Sequence, residues 1–245
     1  MNRLKQTASD WIAFIKAPTL DLPMQERSAL RDVGWLFALN CLIVAAIAAV
    51  LFPAMLLFDV EMSNDMSELF KRPIWQILAI VVIVGPITEE LVFRSWISGN
   101  PKLLLLLGGI LIWFGGSYSL AQVGFTGANP IPLIILTAII AVAVLVGQIR
   151  YWKRPSPVWY ARIFPVIFWA QALLFGFIHV FNYAGDNPTA LLPLVLPQLV
   201  GGLIWGYARI KYGWWSNIVM HMAYNLLATS GLLYMLFTGG EMVSS

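Results

Sequence analysis

Apolar residues run along this chain in blocks of about twenty, the length an α-helix needs to cross the hydrocarbon core of a bilayer. The blocks predict seven spans, at Val33–Phe58, Ile74–Phe93, Leu103–Gln122, Ile131–Ile149, Ile163–Tyr183, Thr189–Ala208 and Trp214–Phe237. The polar stretches between them are short, with neither a repeat nor a low-complexity segment. The expected fold class is all-α, a polytopic membrane protein of about seven transmembrane helices in one bundle. The predicted organisation is a cytoplasmic N-terminal segment over 1–32, one transmembrane helical domain over 33–238 and a short tail over 239–245. Five Lys or Arg but no apolar core precede Val33, so the first segment does not read as a cleavable signal peptide. Within it, Trp11-Ile12-Ala13-Phe14-Ile15-Lys16 reads either as a stretch lying on the membrane surface or as ordinary packing.

Composition narrows the class further. Of the 245 residues 60% are hydrophobic and 11% charged, whereas an ordinary soluble domain carries about 25% charged residues. A soluble enzyme and a disordered chain are both excluded. The net charge of +3 is small and spread over loops, so the expected partner is the lipid bilayer and not a nucleic acid. The single cysteine, Cys41, lies inside an apolar run, which leaves no disulfide framework and no cysteine-based metal site.

The charges that remain set an orientation. Seven spans put the N-terminus and the 2–3, 4–5 and 6–7 connections on one side of the membrane. That side carries Arg3, Lys5, Lys16, Arg27, Arg31, Lys102, Arg150, Lys153, Arg154, Arg162, Arg209 and Lys211. The other has only Lys71 and Arg72, among Asp59, Glu61, Asp65 and Glu68. By the positive-inside rule the N-terminus is expected in the cytoplasm and the C-terminus outside. Short loops and a bare outer face suit a bacterial inner membrane.

Fourteen of the fifteen basic residues thus fall in tails or loops, and the remaining one, Arg94, closes the second span in Gly85-Pro86-Ile87-Thr88-Glu89-Glu90-Leu91-Val92-Phe93-Arg94. Glu89 and Glu90 are the only acids within any span. Ionisable groups at that depth cost roughly 2.5–3.5 kcal/mol each on insertion scales, so they usually face the bundle interior and serve a purpose. Glu90 and Arg94 are four apart on one helix face and can neutralise each other. Glu89 points about 100° away and has no such local partner. The chain's two histidines also lie in apolar spans, in Phe175-Gly176-Phe177-Ile178-His179 and in His221-Met222-Ala223-Tyr224-Asn225. Spacing of four puts Phe175 with His179, and His221 with Asn225, on one face each.

This inventory suits one chemistry. A carboxylate and an imidazole can hold a water and take its proton. A second imidazole and a carboxamide can donate hydrogen bonds to the oxyanion formed on an attacked carbonyl. Amide hydrolysis of this kind needs no serine or cysteine nucleophile. Other protease signatures are missing: there is no HExxH, Gly115-Gly116-Ser117-Tyr118 lacks the second glycine of GxSG, and Gly185-Asp186 is a lone loop GD dipeptide.

At these residues the sequence resembles the CAAX-protease and bacteriocin-processing family of intramembrane proteases, also called the Abi family. Its motifs EExxxR, FxxxH and HxxxN stand here, in order, as Glu89-Glu90-xxx-Arg94, Phe175-xxx-His179 and His221-xxx-Asn225. The motifs occupy about residues 85–226. The resemblance implies an endopeptidase acting on a membrane-associated peptide or protein. It implies that Glu89 and His179 activate the water, that His221 and Asn225 form the oxyanion hole, and that Glu90, Arg94 and Phe175 give structural support. It also implies metal-independent catalysis with no cofactor; were a divalent metal such as zinc used, Glu89, His179 and His221 would be its ligands. Two readings from other classes stay open, a proton-coupled membrane transporter and a non-catalytic scaffold or immunity relative.

Two geometric expectations accompany the resemblance. Residues 91–174 separate Glu90 from Phe175, and the extra sequence reads as the two spans over 103–149. Straight spans would leave Glu89 and His179 about 12–15 Å apart in depth, given 1.5 Å per residue and a core about 30 Å thick. Substrate is expected to enter from the lipid or the cytoplasmic side, because the His221 end of the last span lies near that face.

Overall fold

The computed structural model describes residues 2–22, 29–57, 60–125, 129–151, 153–185 and 191–237. Arg27, Phe58, Asp59, Asp186, Thr189 at the start of the sixth span, and the tail 239–245 lie outside the described residues. The elements are α1 (Arg3–Lys16), α2 (Ala29–Leu57), β1 (Glu61–Met62), α3 (Asn64–Phe70) and α4 (Ile74–Ile77). A π-helix (Leu78–Val84) leads from α4 into α5 (Gly85–Arg94). Then come α6 (Pro101–Gln122), α7 (Ile131–Arg150), α8 (Val158–Ile178), a 3-10 turn (His179–Asn182) and β2 (Tyr183–Ala184). A second 3-10 turn (Leu192–Val195) precedes α9 (Leu196–Tyr212) and α10 (Trp214–Phe237).

Among the described residues, five stretches are long and apolar enough to cross a membrane: Ala29–Pro53, Ile74–Arg94, Pro101–Gln122, Ile131–Arg150 and Val158–Asn182. The sixth and seventh predicted spans are helices too, α9 with 17 residues and α10 with 24. Among the described residues, then, five of the seven qualify by length and apolarity. At 1.5 Å per residue α9 is roughly 26 Å long, shorter than the hydrocarbon core, and α10 carries Ser216, Asn217, His221 and Asn225 on its length.

Two predicted spans differ in detail. The fifth begins at Val158, not Ile163, because one arginine in its second turn, Arg162, does not stop a helix already started after Pro157. The second is not one regular helix. Pro86 has no N–H, and in a regular α-helix its ring would press on the carbonyl four residues back. The backbone widens instead, and the Gly85 N–H reaches the Ile80 carbonyl, five residues back. A side chain at Gly85 would bring its Cβ within 2.9 Å of that carbonyl oxygen. Gly85-Pro86 therefore writes the π-helix into the sequence.

The chain divides into two compact units, residues 1–94 with 164–245, and residues 95–163. In the second unit α6 and α7 form a hairpin. Asn100 caps α6 by accepting from the Lys102 N–H at 3.1 Å, and Pro101 follows where a missing N–H costs nothing. Gly109, Gly116 and Gly147 lie against Val144, Leu136 and Leu105, so the two helices approach through small residues.

In the first unit α8 and α9 cross by the same device. Gly176 lies against Leu199, Gly202 against Ala172, and Gly206 against Phe168 and Gln171. The close crossing brings Phe175 beside Trp205, ring centres 5.8 Å apart. Helix α1 packs here rather than standing free. Its Phe14 ring lies 5.0 Å from Phe168 and 4.9 Å from Tyr207, and Trp11 is buried beside it. The 3-10 turn after α8 leads into β2, which pairs antiparallel with β1, Glu61 opposite Ala184 and Met62 opposite Tyr183.

Candidate active site

Four elements of the first unit deliver the polar residues. The last two turns of α5 carry Glu89, Glu90 and Arg94, the end of α8 carries Phe175 and leads into His179, α9 carries Trp205, and α10 carries His221 and Asn225. The π-helix matters at once. With no N–H at Pro86 and the Gly85 N–H spent on Ile80, the Val81 carbonyl has no donor in its own helix. Asn225 supplies one, its Nδ2 donating to that carbonyl at 2.8 Å.

Helix end effects orient His179. Carbonyls in the last turn of α8 have no helical partner, and His179 Nδ1 lies 2.7 Å from the Phe175 carbonyl oxygen. A carbonyl only accepts, so Nδ1 carries the hydrogen and Nε2 presents a lone pair in the neutral ring. That Nε2 is 3.7 Å from Glu89 Oε2. His221 is held the same way round. Its Nδ1 donates to Glu90 Oε1 at 2.8 Å, and its Nε2 lies 3.8 Å from Glu89 Oε2. Both imidazoles thus aim their free nitrogen at one oxygen of Glu89.

The two acids of the motif have different surroundings. Glu90 and Arg94 are fully buried and bonded to each other, whereas the Glu89 side chain is 32% exposed. Phe175 lies under this pair, with the Arg94 guanidinium 4.2 Å from its ring centre and the rings of His179 and His221 at 4.8 and 5.8 Å. Glu89 instead opens onto a cavity of about 470 Å³. His179, His221 and Asn225 line that cavity, together with Met66, Leu69, Gly85, Gln198, Trp205 and Tyr224. Among the described residues no group of three His, Cys, Asp or Glu side chains is arranged to hold a metal ion.

The depth mismatch expected from straight spans does not occur. The chain turns at His179 into the 3-10 segment and β2, and the other span contains the π-helix, so neither is the straight helix that the depth arithmetic assumes. The cavity extends from Glu89 towards Met66 and Leu69 of α3, in the segment with acidic residues. At the other end Glu90, Arg94, Ser216 and Asn217 are buried and fill the space.

Every motif residue read from the sequence is in this cluster, but three contributors were not read from it. The Asn217 amide donates from Nδ2 to Glu90 Oε2. The Trp205 ring stacks on His221, centres 4.1 Å apart and planes at 24°. The Val81 carbonyl binds Asn225. Asn217 was legible in principle, since it stands four residues before His221 on the face that His221 and Asn225 share. Trp205 left no such mark among eleven tryptophans.

A family described as Rce1-like, type II CAAX prenyl endopeptidase, matches residues 71–227. The chain belongs to this family. The Rce1-like region opens just before α4, closes two residues after Asn225, and takes in the whole cluster. No curated protein and no solved structure matches the chain. Membership in an endopeptidase family, with five helices fit to cross a bilayer, makes this an integral membrane protein of a protease family.

Proposed function

We propose that the chain is a glutamate-dependent intramembrane endopeptidase that hydrolyses a peptide bond of a membrane-associated protein or peptide. The observation that carries this reading is the convergence of both imidazole Nε2 atoms on Glu89 Oε2, at 3.7 and 3.8 Å, beside a cavity. Glu89 takes a proton from a water as its oxygen attacks the scissile carbonyl carbon. His179 Nε2 accepts the water's other hydrogen and so fixes its orientation. The oxyanion receives the second Nδ2 hydrogen of Asn225, the first being given to Val81. His221, neutral with its hydrogen on Nδ1 in the resting site, takes up a solvent proton at Nε2 as substrate binds and donates from there to the oxyanion, with Glu90 and Glu89 as counter-charges. When the C–N bond breaks, the Glu89 carboxylic acid returns its proton to the leaving amine, giving a carboxylic acid and an amine with Glu89 ionised again.

No metal or cofactor enters this scheme. The charge pattern further supports an N-terminus in the cytoplasm and a C-terminus outside, in a bacterial inner membrane. Purified protein in detergent is expected to cut members of a fluorogenic peptide library. His179→Ala is expected to lose about 10²–10⁴-fold in rate. A His179→Ala protein that is folded and cuts at the wild-type rate would remove the water-activating role from this histidine.

A further inference from the structure

We propose that Asn217 is a positioning residue for His221, acting through Glu90, and this rests on the proteolytic reading above. Asn217 belongs to none of the three motifs. It is fully buried one turn before His221 on α10, beside buried Ser216 and Met220. Its Oδ1 has no hydrogen-bond partner among the described residues. An unpaired buried acceptor is costly, and an apolar side chain of the same size would avoid that cost. What the amide contributes is its donor, and the donor goes to Glu90 Oε2.

The geometry of the Glu90 carboxylate explains why that donor matters. Oε1 receives two hydrogen bonds, from Arg94 Nη1 and from His221 Nδ1. Oε2 receives its bond from Asn217. With three donors on two oxygens, the plane of the carboxylate is fixed. Without Asn217, Oε2 would be a buried anionic oxygen lacking a donor. A guanidinium binds a carboxylate well through two parallel bonds, so Glu90 would turn to bring Oε2 onto Arg94. That rotation carries Oε1 out of line with His221 Nδ1. His221 would then lose the bond that keeps its hydrogen on Nδ1 and its Nε2 aimed at Glu89.

The imidazole of His221 has no other fixed partner at Nδ1, whereas stacking on Trp205 holds its plane without choosing its tautomer. Ser216, the preceding residue, bonds the Ala208 and Gly213 carbonyls and sets the start of α10. Asn217 therefore acts on the orientation of one side chain while its neighbour sets the helix.

The test compares Asn217→Ser and Asn217→Ala in the full-length protein in detergent. The two side chains differ by one hydroxyl, which can reach Oε2 through a bridging water. Because the chain has only two histidines, ¹⁵N spectra of histidine-labelled protein report His221 directly. The expected result for Ala is a His221 spectrum moved from the Nδ1-protonated pattern towards a tautomer mixture, with kcat lowered roughly 10–100-fold and KM unchanged. Ser is expected to keep the wild-type pattern and most of kcat. If Ser and Ala behave alike, or if Ala lowers kcat with the His221 pattern unchanged, the positioning role is wrong. The spectra decide this even if the wild-type protein cuts no peptide, an outcome that would instead overturn the proteolytic reading.

Discussion

Glu89 and Glu90 are neighbours in sequence, yet they live in different media. Glu90 sees no water, so its charge has to be matched by Arg94, His221 and Asn217. Glu89 is partly exposed to the cavity and keeps no bonded partner at Oε2 among the described residues. One acid is therefore built in, and the other faces the cavity. Removing a partner from a buried ion pair leaves an uncompensated charge, which typically costs about 3–5 kcal/mol. Arg94→Leu is expected to destabilise the folded protein by about that amount, read as a lower thermal midpoint in detergent. Glu89→Gln buries no new charge and is expected to leave the midpoint close to wild type. Equal midpoints for Arg94→Leu and wild type would mean that Glu90 is not held as an ion pair.

At the scale of elements, the π-helix links local sequence to the site. Pro86 withholds an N–H, the Val81 carbonyl is released, and Asn225 is pinned by it. Restoring the N–H should undo this chain. Pro86→Ala is expected to let α4 and α5 join more regularly and free Asn225, cutting the cleavage rate roughly 10–100-fold without lowering the thermal midpoint. A Pro86→Ala protein with full activity would separate the π-helix from catalysis.

The same elements show what the sequence made legible. Blocks of apolar residues located the long helices among the described residues, and the four-residue spacings pointed to the motif residues that the cluster brings together. The polar residues were readable because they are so rare in the spans. The 3-10 turn at His179 and the π-helix were not read, and straight-helix arithmetic then misplaced Glu89 and His179 in depth. Both irregularities rest on which backbone carbonyls lack donors, a property that hydropathy does not carry. Trp205 was hidden for a related reason: its role comes from lying flat on His221 after α8 and α9 meet through glycines, and no periodicity marks it.

For the whole molecule, the charge skew and the cavity make a joint statement. The positive-inside rule leads us to expect the basic connections in the cytoplasm and the α3 segment with Asp65 and Glu68, whose Met66 and Leu69 line the cavity, outside. In a Cys41→Ser background, a cysteine at exposed Glu68 is expected to react with a membrane-impermeant thiol reagent from outside the cell. A cysteine at exposed Arg154 is expected to react only after the membrane is opened. The reverse pattern would invert the orientation.

The central claim is proteolysis that depends on Glu89 and not on a metal. It is tested most directly by cleavage of a fluorogenic peptide library by the purified protein, wild type beside Glu89→Gln, each with and without a chelator. The wild type is expected to cleave equally with and without the chelator, and Glu89→Gln is expected to abolish cleavage. Cleavage that survives Glu89→Gln, or that the chelator removes, would contradict that claim.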